Sequence, residues 1–82
     1  MMKDEKIPIE AIYVPAKRRS TLNPETVEQL AAAIMEEGQK SPILVRQDGK
    51  RYVLVEGLHR LEACRALGEA TILGTLVQAR KH

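Results

Sequence analysis

The stretch ILVRQDGKRYVLVEGLHRLEACRALG, residues 43 to 68, leaves this chain few options. Two runs rich in β-branched residues flank Asp48-Gly49, and an Asp-Gly pair between such runs predicts a tight hairpin. The second run ends at Glu56-Gly57 and passes without a linker into residues 58 to 67, whose Leu, Ala and Glu content predicts a helix that Gly68 stops. Leu61, Cys64 and Leu67 fall on one apolar stripe of that helix.

The flanking segments complete the pattern. IPIEAIYV, residues 7 to 14, carries Ile7, Ile9, Ile12 and Val14 around Pro8 and predicts an edge strand of irregular register. PAKRRSTLN reads as a polar loop. Asn23 then caps a helix with Pro24 at its first position and Glu25 and Glu28 early on; Val27, Leu30, Ala31 and Ile34 recur at helical spacing, and Gly38 ends it. TILGTLV, residues 71 to 77, predicts a last strand. Residues 1 to 6 and 78 to 82 read as loose tails.

The order strand, helix, strand, strand, helix, strand predicts an α+β fold, one small sheet covered by helices, as a single domain over residues 1–82. A sheet of few strands needs its apolar face covered, so Val27, Leu30, Ile34, Leu61, Cys64 and Leu67 are expected against Ile43, Val45, Val53 and Val55. The chain of 82 residues has neither Phe nor Trp, so the core must be aliphatic. A domain of this size buries only about 60% of the surface its unfolded chain exposes. The single cysteine, Cys64, excludes an internal disulfide and a cysteine metal site. With no signal-peptide-like or membrane-spanning run, a reducing cytoplasm is the expected compartment and no membrane partner is expected.

Thirteen basic against 11 acidic residues give a net charge of +2, too little to argue nucleic-acid binding from charge alone. Position says more. The densest basic run is Lys17, Arg18 and Arg19, while Glu56, Gly57, His59 and Arg60 cluster where the last strand of the hairpin becomes a helix. Peptide N–H groups at a helix start lack intrahelical partners, and the macrodipole favours an anion there. Gly57 permits close approach to the backbone. Arg60 carries a planar fork suited to two phosphate oxygens, and His59 adds a donor. Glu56 can orient His59, hold Mg²⁺ or act as a base. The same residues also fit a plain alternative, a turn glycine followed by a solvated helix start, and spacing alone does not decide between them.

LNPETVEQLAAAIMEEG, SPILVR, the hairpin, GLHRLEACRALG and ATILGTLV, in that order from about Ile7 to Val77, resemble the N-terminal domain of the ParB partition proteins and the related sulfiredoxins, which share one small α+β fold. The resemblance implies a nucleoside triphosphate, CTP or ATP, bound with Mg²⁺. It places phosphate contacts at Gly57, Leu58, His59 and Arg60, a further contact at Ser41 where a glutamine is usual before Pro42, and one of Arg18 and Arg19 near the nucleotide or a partner. Leu58 stands where sulfiredoxins carry the nucleophilic cysteine, so that activity is not expected. It also replaces the glutamate of the Gly-Glu-Arg-Arg box of ParB, which separates binding from turnover. The implied role is a nucleotide-responsive module of DNA partition or transcriptional regulation, with DNA or a DNA-binding protein as partner. Separately, a small sheet with apolar edge strands fits pairing with a second copy, so a homodimer is among the expected assemblies. The alternatives are a phosphotransfer or nucleotide-hydrolysing enzyme using Glu56 or His59, and an interaction domain whose phosphate site has decayed.

Overall fold

The computed structural model describes residues 4–77. Residues 78 to 82, expected as a tail, lie outside the described residues, as do the first three. Asp4–Lys6, also expected in a tail, instead belong to strand β1 (Asp4–Pro8), which pairs antiparallel with β5 (Thr71–Leu76). The Thr75 hydroxyl donates to the Asp4 carboxylate at 2.7 Å and fastens the far end of this pair.

The predicted strand over residues 7 to 14 is two strands. Pro8, which has no N–H for a ladder, ends β1; a 3₁₀ turn (Ile9–Ala11) follows, and β2 (Ile12–Tyr13) lies parallel to β4 (Arg51–Glu56). With β3 (Ile43–Asp48) at its centre, the sheet order β1-β5-β3-β4-β2 puts these consecutive strands on opposite edges. The turn is fixed by Ile9, whose N–H donates to Ala70 C=O at 3.0 Å and whose side chain is buried. The expected loop after it contains a one-turn helix, α1 (Ala16–Arg19).

The hairpin forms as expected from β3 (Ile43–Asp48) and β4 (Arg51–Glu56), with Asp48 facing Arg51 and Gly49 and Lys50 in the turn. Gly49 has φ +64° and no described non-glycine residue has positive φ, a combination that fits the type II′ turns of two-residue hairpins. Helix α2 (Pro24–Glu37) begins at Asn23, whose Oδ1 accepts from the Glu25 and Thr26 N–H groups at 3.0 and 3.4 Å. Helix α3 (Leu58–Ala66) follows β4 after Gly57 alone.

The core is aliphatic, as composition demands, but its membership differs from expectation. Leu61, Cys64, Ile43 and Val45 are buried together with Ile7, Ile9, Ile12, Val14, Leu54, Leu58 and Ile72. On β4 the core cluster takes Leu54, because Leu54 faces Val45 across the ladder and paired residues point to one side; Val53, buried as expected, faces Arg46 and turns to the other side of the sheet. Val55 and Leu67 are only half-buried. No residue of α2 is buried: it packs chiefly on α3, so Val27 and Leu30 are partly exposed and only Ile34 reaches the core cluster.

Candidate functional site

The chain must leave β4 and enter α3 within one residue, and Gly57 does this with φ +112° and ψ +30°, a left-handed conformation that disfavours a side chain. A Cβ at this position would meet Ile43 Cγ2 at 2.6 Å. The missing side chain therefore faces the core, letting α3 start hard against β3, and the glycine is explained by packing as well as by backbone geometry. Leu58, next in line, sends its side chain into the core and is 7% exposed. What Leu58 can offer a ligand is its backbone N–H.

The first intrahelical bond of α3 runs from Leu61 N–H to Gly57 C=O at 2.9 Å, so the N–H groups of Leu58, His59 and Arg60 have no partner within the helix. No side chain caps them and the first turn has no acidic residue. They open onto a cavity of about 410 Å³, lined on one side by Glu56 through Arg60 and on the other by Arg18, Thr21, Thr26 and Leu30. The loop arginines are thereby told apart: Arg18 lines this cavity and Arg19 does not.

His59 is held in a particular way. Its Nε2 accepts from the Asn23 backbone N–H at 3.0 Å. A peptide nitrogen can only donate, so the bond uses the Nε2 lone pair. The bond ties the start of α3 to the start of α2 and sets the separation of the two cavity walls. It also engages Nε2, which leaves only Nδ1 of this ring to face a ligand.

Arg60 lines this cavity and also a second, smaller one of about 150 Å³, whose other walls are Leu30, Ala33, Ile34 and Glu37 of α2 and Gly38, Lys40 and Ser41 of the following loop. Its side chain is partly buried, standing between the two lobes. Ser41 thus lies across Arg60 from the α3 start and away from Arg18. Glu56 is exposed and is the one carboxylate on the larger lobe. Among the described residues no group of three or more His, Cys, Asp or Glu side chains is placed to hold a metal. One carboxylate is nonetheless sufficient from the protein for Mg²⁺, which takes its remaining ligands from phosphates and water.

Cys64 lies behind Arg60 on the core side of α3. Burial pushes its thiol up from the ordinary value, Glu69 adds to this and Arg60 opposes it. A buried thiol held protonated is no nucleophile. One residue that sequence reasoning passed over is Gln39, whose carboxamide bonds the backbone of Leu73 on β5.

A short mixed sheet, a helix entered through a left-handed glycine and a groove with an arginine between its two lobes define a class of small α+β domain. Residues 2–82 match the ParB N-terminal domain family, and the chain belongs to it. It is 36% identical over 64 residues to the chromosome-partitioning protein ParB of Myxococcus xanthus, covering 77% of this chain and 22% of that relative. Sulfiredoxin from Arabidopsis thaliana superposes with a TM-score of 0.84 at 28% identity, over 94% of this chain and 86% of that one. The C-terminally truncated ParB from Caulobacter crescentus complexed with CTP-gamma-S gives a TM-score of 0.77 at 28% identity, over 98% of this chain and 46% of that one. The sheet with its helices is therefore the ParB and sulfiredoxin fold. No described helix is long and apolar enough to cross a membrane.

Proposed function

We propose that the chain binds a nucleoside triphosphate as the regulatory module of a DNA-partition protein. The observation that carries this is the unpartnered N–H triplet of Leu58, His59 and Arg60, opening into a cavity that Arg18 and Arg60 enter from two sides. The phosphates sit at the α3 start, where the helix dipole and two guanidiniums offset their charge. Thr26 supplies a hydroxyl on the facing wall, while the Thr21 hydroxyl donates to Arg18 C=O at 2.7 Å and steadies the turn that carries Arg18. Mg²⁺ would be held by Glu56 and the phosphates, neutralising part of the ligand's charge. The nucleoside occupies the smaller lobe beside Ser41.

The partition role is supported by family membership and by the 36% identity to a chromosome-partitioning protein. The relative complexed with CTP-gamma-S favours CTP as the first nucleotide to try. DNA, or a protein that reads it, is the partner this role implies. Turnover has less support, because Leu58 offers no side chain for chemistry and His59 Nε2 is taken by Asn23.

The test is thermal denaturation with increasing CTP, ATP or inorganic tripolyphosphate, with and without Mg²⁺. A ligand that binds only the folded chain raises its melting temperature, by an amount that corresponds to about 2.7 kcal/mol at a hundredfold excess over Kd. A rise that disappears in Arg60→Ala is expected. Unchanged melting with every phosphate ligand would leave the interaction-domain reading in its place.

A further inference from the structure

The loop joining α2 to β3 forms one wall of the smaller lobe through Gly38, Lys40 and Ser41. Among the described residues no backbone-to-backbone hydrogen bond ties Gln39, Lys40 or Ser41 to the rest of the chain; the last such bond before β3 runs from Gly38 N–H to Ile34 C=O. An exposed ion pair from Lys40 Nζ to Glu37 at 2.7 Å ties the loop back to α2, and one side chain ties it to the sheet. Gln39 Nε2 donates to Ser41 C=O at 2.9 Å and to Leu73 C=O at 2.8 Å, and Gln39 Oε1 accepts from Leu73 N–H at 2.8 Å.

The pairing with Leu73 copies what a strand residue would do. β3 pairs with β5 from Ile43 opposite Gly74 onward, so Leu73 lies just before the ladder begins. The Gln39 carboxamide, one acceptor and two donors, satisfies both polar groups of Leu73 and uses its remaining N–H on Ser41, which fixes the loop's curvature. A side chain that spends all its hydrogen-bonding groups on two backbones sets a conformation.

From this geometry we infer that Gln39 is a positioning residue for the smaller lobe: it holds Ser41 and Lys40 across from Arg60 and so gives the site its preference for a nucleoside over bare phosphate. The inference rests on the reading of the groove as a nucleotide site. Gln39 touches no part of the α3 start, so the phosphate lobe does not depend on it.

The experiment compares wild type with Gln39→Ala, measuring Kd for CTP and for inorganic tripolyphosphate by calorimetry. The tripolyphosphate Kd is expected to stay within about twofold, while the CTP Kd rises about tenfold, a loss of about 1.4 kcal/mol. Gln39→Glu is expected to behave like Gln39→Ala, since a carboxylate accepts from Leu73 N–H but has nothing to donate to the two carbonyls. A second readout needs no variant. In wild-type protein, CTP should slow amide hydrogen exchange at residues 39 to 41 and tripolyphosphate should not. Equal weakening of both ligands in the variants, an unchanged CTP Kd, or exchange at residues 39 to 41 indifferent to CTP would each overturn the role of Gln39 while leaving the nucleotide site standing. Failure of wild type to bind either ligand would overturn the site itself, and the positioning role with it.

Discussion

Two helices of similar surroundings begin in opposite ways. α2 closes its own start: the Asn23 side chain accepts from two of its first N–H groups, Pro24 removes another donor, and Glu25 places a carboxylate at the positive end of the dipole. α3 has none of these, beginning from a left-handed glycine with no capping side chain and no acid in its first turn. The two starts are joined by the His59 bond to Asn23, so they face one cavity, one satisfied and one open. A helix start built only for stability resembles the first; the second leaves its first N–H groups without an intrahelical or capping partner.

The contrast can be strained first at Gly57. Gly57→Ala is expected to cost on the order of 3 kcal/mol, combining a left-handed backbone with a Cβ driven into Ile43. Urea denaturation would show it as a lower midpoint at unchanged slope. A loss below about 0.5 kcal/mol would mean that the junction relaxes freely and is not what sets α3 against β3.

At the open start, the paired arginines give the next largest effect. Arg18→Ala should weaken tripolyphosphate binding about fivefold, about 1 kcal/mol, and Arg19→Ala should leave it unchanged, as calorimetric titration would show. Equal losses in the two variants would return the choice between them to a matter of net charge.

At the closed start, Asn23→Ala removes the cap but keeps the backbone N–H that His59 accepts from. Stability should fall by about 1 kcal/mol, seen as a melting temperature lower by about 4–8 °C, with phosphate affinity held within about twofold. A large loss of affinity with little loss of stability would reverse the roles assigned to the two helices.

The smallest effect concerns Cys64. Its folded thiol ionises at higher pH than the ordinary value of 9.0, so as pH rises through that value the unfolded chain releases its proton first. The unfolded state then binds fewer protons than the native state and stability falls with rising pH. Cys64→Ala, less stable throughout, should show a shallower decline between pH 8 and pH 10 in denaturant midpoints, by a few tenths of a kcal/mol.

Much of this was legible before any coordinates. Asn23-Pro24, Asp48-Gly49 and Gly68 are local signals whose geometry depends on few neighbours, and they place α2, the hairpin and the end of α3 to within a residue. Glu56 through Arg60 likewise announce the open helix start. Other features are set at long range. Tyr52-Val53-Leu54-Val55 is apolar throughout, so no alternation marks its inner face; the register with β3 does. Residues 7 to 14 read as one strand because the partner that breaks it, Ala70, lies far along the chain. His59 and Gln39 act on residues 36 and 34 positions away, and nothing in their own neighbourhoods foretells it. Gly57 was visible as a turn glycine, while Ile43, the residue that forbids a side chain there, was not.

The difference between the two helix starts can be read directly from backbone amide chemical shifts as tripolyphosphate is added to the protein. A phosphate seat at α3 requires the Leu58, His59 and Arg60 amides to move together and saturably, while those of Glu25 and Thr26, already bonded to Asn23, stay where they are. Movement at Glu25 and Thr26 with stationary amides at residues 58 to 60 would contradict it.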